Sequence, residues 1–98
     1  MNIDNFIEVK ILSKSMVPAL TPGEKVTIKS AIYNRPQVGS IILFLHHPDH
    51  ATIHRITAII EQDGKTYYRT KGDANPQKDY YLVDESEVIG VMIEERSS

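Results

Sequence analysis

The chain has 98 residues, 41% hydrophobic and 24% charged, which gives one domain with a modest core and excludes a chain disordered by composition. Its 11 Lys and Arg against 13 Asp and Glu leave a net charge of −2, which argues against a nucleic-acid binder with its usual basic stripe. Cysteine is absent, so disulfide scaffolds, thiol catalysis and Cys-ligated zinc are excluded.

Met1 to Asn5 has neither a basic nor an apolar stretch, so no export signal is expected. Phe6 to Leu12 alternates as a strand with Ile7, Val9 and Ile11 on one face. Ser13 to Gly23 holds two prolines and a glycine and breaks regular structure. Lys25 to Lys29 alternates again, with Val26 and Ile28 inward. Turn chemistry at Pro36 to Ser40 leads into Ile41 to Leu45, a strand expected to be buried on both faces. That run is the longest apolar one, far short of the roughly 20 residues of a membrane helix. His46 to His50 reads as a polar loop broken by Pro48.

Ala51 to Glu61 is β-rich. Strict alternation puts Ile53, Arg55, Thr57 and Ile59 on one face and Thr52, His54, Ile56, Ala58 and Ile60 on the other. Asp63-Gly64 is a strong hairpin signal, returning through Lys65 to Thr70. Gly72 to Asp79 is a polar loop containing Pro76. Asp84 to Glu87 starts one helical turn, and Val88 to Ile93 is a final strand. The expectation is a mainly β, coiled, mostly antiparallel domain of about six strands with at most one short helical turn.

Three segments carry potential chemistry. Ser13-Lys14-Ser15-Met16-Val17-Pro18 presents a serine hydroxyl at a bend, which suits an acyl-transfer nucleophile, although taken alone such a segment is more often an ordinary Ser-rich turn. His54 sits mid-strand, where an imidazole is either a structural residue or a rigidly held general base. Asp73 and Asp79 lie in a turn-forming loop, and either could orient an imidazole. A rival cluster, His46, His47, His50 and His54, has metal-like spacings, but Pro48 and the β-branched residues beyond it oppose the helix such spacings need. These histidines then read as exposed loop residues. Tyr67, Tyr68, Tyr80 and Tyr81 read as sheet packing with wet hydroxyls.

Taken in order, Ser15-Met16-Val17-Pro18, Gly23-Glu24, Val38-Gly39 with Ile41 and Phe44, Ile53-His54-Arg55-Ile56, Thr70-Lys71-Gly72-Asp73-Ala74-Asn75 and Val88-Ile89-Gly90 resemble the type I signal peptidase family. The catalytic core of that family is similar to that of the LexA-like self-cleaving repressors. With His54 where other members carry a lysine base, the resemblance is to the branch of the endoplasmic reticulum and archaea. Lys14 stands where members usually have glycine. The resemblance implies a coiled β fold of the LexA and signal peptidase type. It makes Ser15 the nucleophile, His54 the general base and Asp79 the acid that orients it. Asp73 becomes a supporting acid. The Ser15 N–H and the Ser13 hydroxyl serve the oxyanion hole, and Met16 and Pro18 border the substrate groove.

The implied activity is a serine endopeptidase that cuts a signal or leader peptide after small residues, with no metal and no cofactor. Residues 1–98 are expected to form one catalytic domain without a transmembrane segment, since only 14 residues precede Ser15. That expectation makes the chain cytoplasmic, or membrane-associated through peripheral contact or a recruiting partner. The expected partner is a peptide or protein substrate rather than nucleic acid, and exposed sheet edges leave a homodimer open. The alternatives are an inactive peptide-binding module of the same fold and a self-cleaving regulator.

Overall fold

In the computed structural model, which describes residues 6–93, apolar–polar alternation resolves into one open antiparallel sheet. In chain order its strands are β1 (Phe6–Lys10), β2 (Lys25–Ser30), β3 (Ile41–His47), β4 (His50–Gln62), β5 (Lys65–Lys71), β6 (Leu82–Asp84) and β7 (Val88–Ile93), with a 3-10 turn at Glu85–Glu87. The spatial order is β1-β2-β7-β3-β4-β5-β6. Residues 1–5, read above for an export signal, lie outside the described residues. No helix among the described residues is long and apolar enough to cross a membrane.

β3 is the middle strand, and its alternate side chains feed two cores. Ile41 and Leu43 join Ile11, Met16, Leu20, Val26 and Ile28 on one face. Ile42 and Phe44 join Ile56, Tyr68, Val83 and Val91 on the other. Leu45 departs from the expected two-sided burial and is 43% exposed.

The expected loop at His46–His50 is instead a tight hairpin. His46 and His47 end β3, His50 starts β4, His47 pairs with His50, and only Pro48 and Asp49 turn the chain. The hairpin at Asp63-Gly64 is as expected, with φ of 54° and 77°, the left-handed pair that a type I′ turn requires.

The expected mainly β, mostly antiparallel domain of about six strands is what forms, with the three-residue β6, too short to show a period, making a seventh. One further expectation is corrected by pairing rather than by local pattern. In β4 the partner of Ile56 is Thr70 and that of Ala58 is Arg69, so Thr57 is an extra residue in a bulge. The bulge reverses the alternation. Ile59 therefore packs in the core with Ile56 and Tyr68 instead of sharing a face with Ile53 and Arg55.

Candidate active site

β1 ends at Lys10, so Ser15 stands five residues past a strand rather than at its end. A compact turn carries it, closed by Val17 N–H to Lys14 O at 3.1 Å and Leu20 N–H to Met16 O at 2.9 Å. Met16 and Leu20, both buried, pin this turn to the core and leave Ser15 half-buried between them and solvent. The Val17–Pro18 peptide bond is cis.

His54 reaches this turn from β4. On the strand it shares a face with Ile56, two residues on, and Ile56 is paired with the fully buried Thr70 of β5. Side chains of His54 and Thr70 therefore lie side by side. The loop after β5 folds back so that Asp79 N–H donates to Thr70 O at 2.9 Å, which brings the Asp79 carboxylate between them. Its Oδ2 lies 2.7 Å from His54 Nδ1 and accepts the Thr70 hydroxyl at 2.6 Å. His54 Nε2 lies 3.2 Å from Ser15 Oγ.

These contacts fix the proton directions. A carboxylate only accepts, so Nδ1 carries the hydrogen toward Asp79 and neutral Nε2 is left to accept the Ser15 hydroxyl. Imidazole and carboxylate side chains are only 9% and 10% exposed, which keeps water from competing for either bond. An alcohol facing the acceptor nitrogen of an imidazole held by an acid has the geometry of nucleophile, base and orienting group.

Ser13 joins the other side of Ser15. The two hydroxyl oxygens are 3.1 Å apart, and Ser15 N–H donates to Ser13 Oγ at 3.3 Å. The two groups expected at an oxyanion hole thus satisfy each other in the free protein.

Asp73 stands apart from the imidazole. Arg55 grips it through Nε to Oδ1 at 2.9 Å and Nη2 to Oδ2 at 2.7 Å. Those hydrogen bonds hold the Asp73 carboxyl below its ordinary value, against the opposing effect of burial. Asp73 N–H also contacts Met16 Sδ at 3.3 Å, and Ala74 N–H donates to Ser15 O at 2.8 Å. The loop beyond β5 is thereby fastened to the serine turn as well as to β4.

A cleft of about 580 Å³ runs to this site, walled by Val9–Ser13 on one side and His50–His54 on the other, with Met16 and Leu43 beneath. Four antiparallel pairings separate β1 from β4, so the two walls run in the same direction, both toward the site. β5 pairs with β4 only from Arg55 onward, which leaves the His50–His54 stretch without a β5 neighbour. Met16 lines the cleft, whereas Pro18 is exposed and lies outside it.

Tyr81 borders the far part of the cleft, stacked on His46 with ring centroids 3.8 Å apart. Burial first, then the Asp79 charge, pushes its hydroxyl up to about 12. The remaining histidines are strand residues rather than loop residues. His47 stacks on His50, which binds Asp49 at 3.0 Å, while His46 Nδ1 is buried 3.6 Å from Glu87 Oε1. Among the described residues no three His, Cys, Asp or Glu are grouped to hold a metal ion. Tyr80 is 86% exposed and meets only the edge of the neighbouring Tyr81 ring, with centroids 5.1 Å apart, rather than packing into the sheet.

Over 79 residues, 80% of this chain, the sequence is 32% identical to signal peptidase I W of Bacillus subtilis (strain 168). The relationship is signal-peptidase-like. The chain spans 42% of the length of that relative, and no family model matches it.

Two residues at this site have no role that the local sequence pattern assigns. Arg55 was visible as the neighbour of His54, but its partner 18 positions away was not. Thr70 opens the Thr-Lys-Gly-Asp motif, yet a threonine in a β-strand has no distinctive local signature.

Proposed function

We propose that the chain is a serine endopeptidase domain of the Ser-His branch of type I signal peptidases, cutting a signal or leader peptide after small residues. The observation that carries this reading is the continuous line from Ser15 Oγ to His54 Nε2 at 3.2 Å and from His54 Nδ1 to Asp79 Oδ2 at 2.7 Å. Ser15 attacks the scissile carbonyl while His54 takes its proton and passes it to the leaving amine. Asp79 holds the imidazole and stabilises its charged form. Water, deprotonated by the same imidazole, then releases the acyl group and restores Ser15.

In the attack step, Ser15 N–H and the Ser13 hydroxyl turn from each other to the developing oxyanion. The peptide lies extended in the cleft, alongside the strand edge that β5 leaves open at His50–His54, and backbone hydrogen bonds supply affinity.

The experiment is cleavage of a peptide library by the purified protein, read by mass spectrometry, with Ser15→Ala and His54→Ala as controls. The expected result is cutting after small residues and a loss on the order of a thousandfold or more in either variant. Cutting by Ser15→Ala at the parental rate overturns the reading. Peptide binding by calorimetry without any turnover replaces it with the inactive binding module.

A further inference from the structure

Asp79 Oδ2 accepts two hydrogen bonds, one from the imidazole and one from the Thr70 hydroxyl at 2.6 Å. Thr70 is a buried polar residue with no exposure at all, and its hydroxyl has no water to fall back on. Backbone and side chain act together here. Thr70 O accepts Asp79 N–H at 2.9 Å, and Arg69 Nη1 donates to Asp79 O at 3.3 Å. Two consecutive β5 residues thus hold Asp79 by its amide, its carbonyl and its carboxylate.

A carboxylate nine positions beyond Thr70, at the end of the loop that returns from β5, has torsional freedom about both χ angles. The imidazole alone fixes one direction of approach. A second donor on the same oxygen, from a strand whose position is set by pairing, fixes the carboxylate plane.

We propose that Thr70 is a positioning residue for the hydrolysis, one that orients Asp79 so that the imidazole presents Nε2 to Ser15. The inference rests on the peptidase reading for its kinetic part, while the hydrogen-bonded link itself is independent of any substrate. Thr70 makes no contact with the reacting atoms. It acts through Asp79, and its hydroxyl, not its methyl group, is what matters.

The test compares Thr70→Val, which keeps the shape and removes the hydroxyl, with Thr70→Ser, which keeps the hydroxyl. Kinetics on a cleaved peptide are expected to show kcat lowered about ten- to a hundredfold in Thr70→Val, the range for one hydrogen bond to a charged group. KM stays near the parental value, and Thr70→Ser restores most of kcat. Proton NMR without substrate supplies the second measurement. The His54 Nδ1–H resonance, carried far downfield by its carboxylate partner, is expected to shift or broaden away in Thr70→Val and to persist in Thr70→Ser.

An unshifted Nδ1–H resonance in a folded Thr70→Val protein overturns the inference, as does equal impairment by Val and Ser, which marks a packing role. Should the parental protein cut nothing while the resonance still depends on the hydroxyl, the peptidase reading fails and the positioning of His54 by Thr70 and Asp79 stands.

Discussion

Arg55 and Asp73 meet edge to edge, with two donor–acceptor distances of 2.9 and 2.7 Å. Arg55 follows His54 on β4, and adjacent strand residues point to opposite faces. One face of β4 therefore reaches Asp79 through His54 while the other clamps the start of the same loop through Arg55. Arg55 Nη1 also donates to Gly39 O at 2.9 Å, so a single guanidinium joins three parts of the chain.

This pair gives the first prediction. Its side chains are 35% and 23% exposed, between the surface regime and the buried one, so Asp73→Asn is expected to cost about 1–2 kcal/mol in urea unfolding at neutral pH. The pH dependence has a definite sign. Arg55 holds the folded Asp73 carboxyl below its ordinary value, so its contribution is present above the unfolded value and is lost as pH falls through the folded one. The gap between parent and Asp73→Asn should therefore close below about pH 4. A gap that stays constant from pH 7 to pH 2.5 contradicts the assignment.

Gly72 supplies the second. A Cβ at this position would stand 2.7 Å from Ser15 O and from Asn75 Nδ2, and 3.0 Å from His54 Nε2. Gly72→Ala must therefore move the loop, the serine turn or the imidazole. Displacements approaching 1 Å at a reacting pair cost about a hundredfold. The expected outcome is a fall in kcat/KM of that order, accompanied by a destabilisation of about 1–3 kcal/mol from overpacking. Peptide kinetics and thermal unfolding on the same sample check both parts, and parental kinetics in a fully folded Gly72→Ala would refute the first.

How far the sequence reveals this architecture depends on whether the deciding interaction is local. The Asp63-Gly64 turn and the Asp84–Glu87 capping box, where Asp84 accepts Ser86 N–H and Glu87 accepts Asp84 N–H, are set by neighbours in sequence and are legible there. The Thr57 bulge is not, because it exists only relative to β5. Nor is the tight turn at Pro48-Asp49, whose register comes from the pairing of His47 with His50. The same division holds at the site. Ser15, His54 and Asp79 could be named by motif, but their meeting depends on Thr70 sharing the His54 face and on Asp79 folding back against β5. Thr70 and Arg55 gain their roles from partners that only the folded sheet supplies.

The third prediction concerns the joint action of Ser15 and His54. Groups that transfer one proton in a single step lose their effect together, so Ser15→Ala, His54→Ala and the double variant should have nearly equal residual rates. The measurement is single-turnover cleavage of one peptide by all three. A double variant slower than either single variant by the product of their separate losses would mean that the two residues act independently, contrary to the 3.2 Å contact between them.

Tyr81 gives a final prediction that needs no activity. Its hydroxyl is pushed up to about 12, chiefly by burial and then by the Asp79 charge, and its ring lies flat against His46. A tyrosine whose folded value is raised retains its proton in the native state after the unfolded chain has lost it. The native state is therefore favoured below the unfolded value near pH 10, and that advantage is lost as pH rises through the folded value of about 12. Tyr81→Phe keeps the stacked ring and removes the ionisation, so its stability should decline less steeply between pH 10 and pH 12 than that of the parent. Equal alkaline slopes for parent and Tyr81→Phe, in folded samples at matched ionic strength, would show that Tyr81 titrates as freely as a surface phenol.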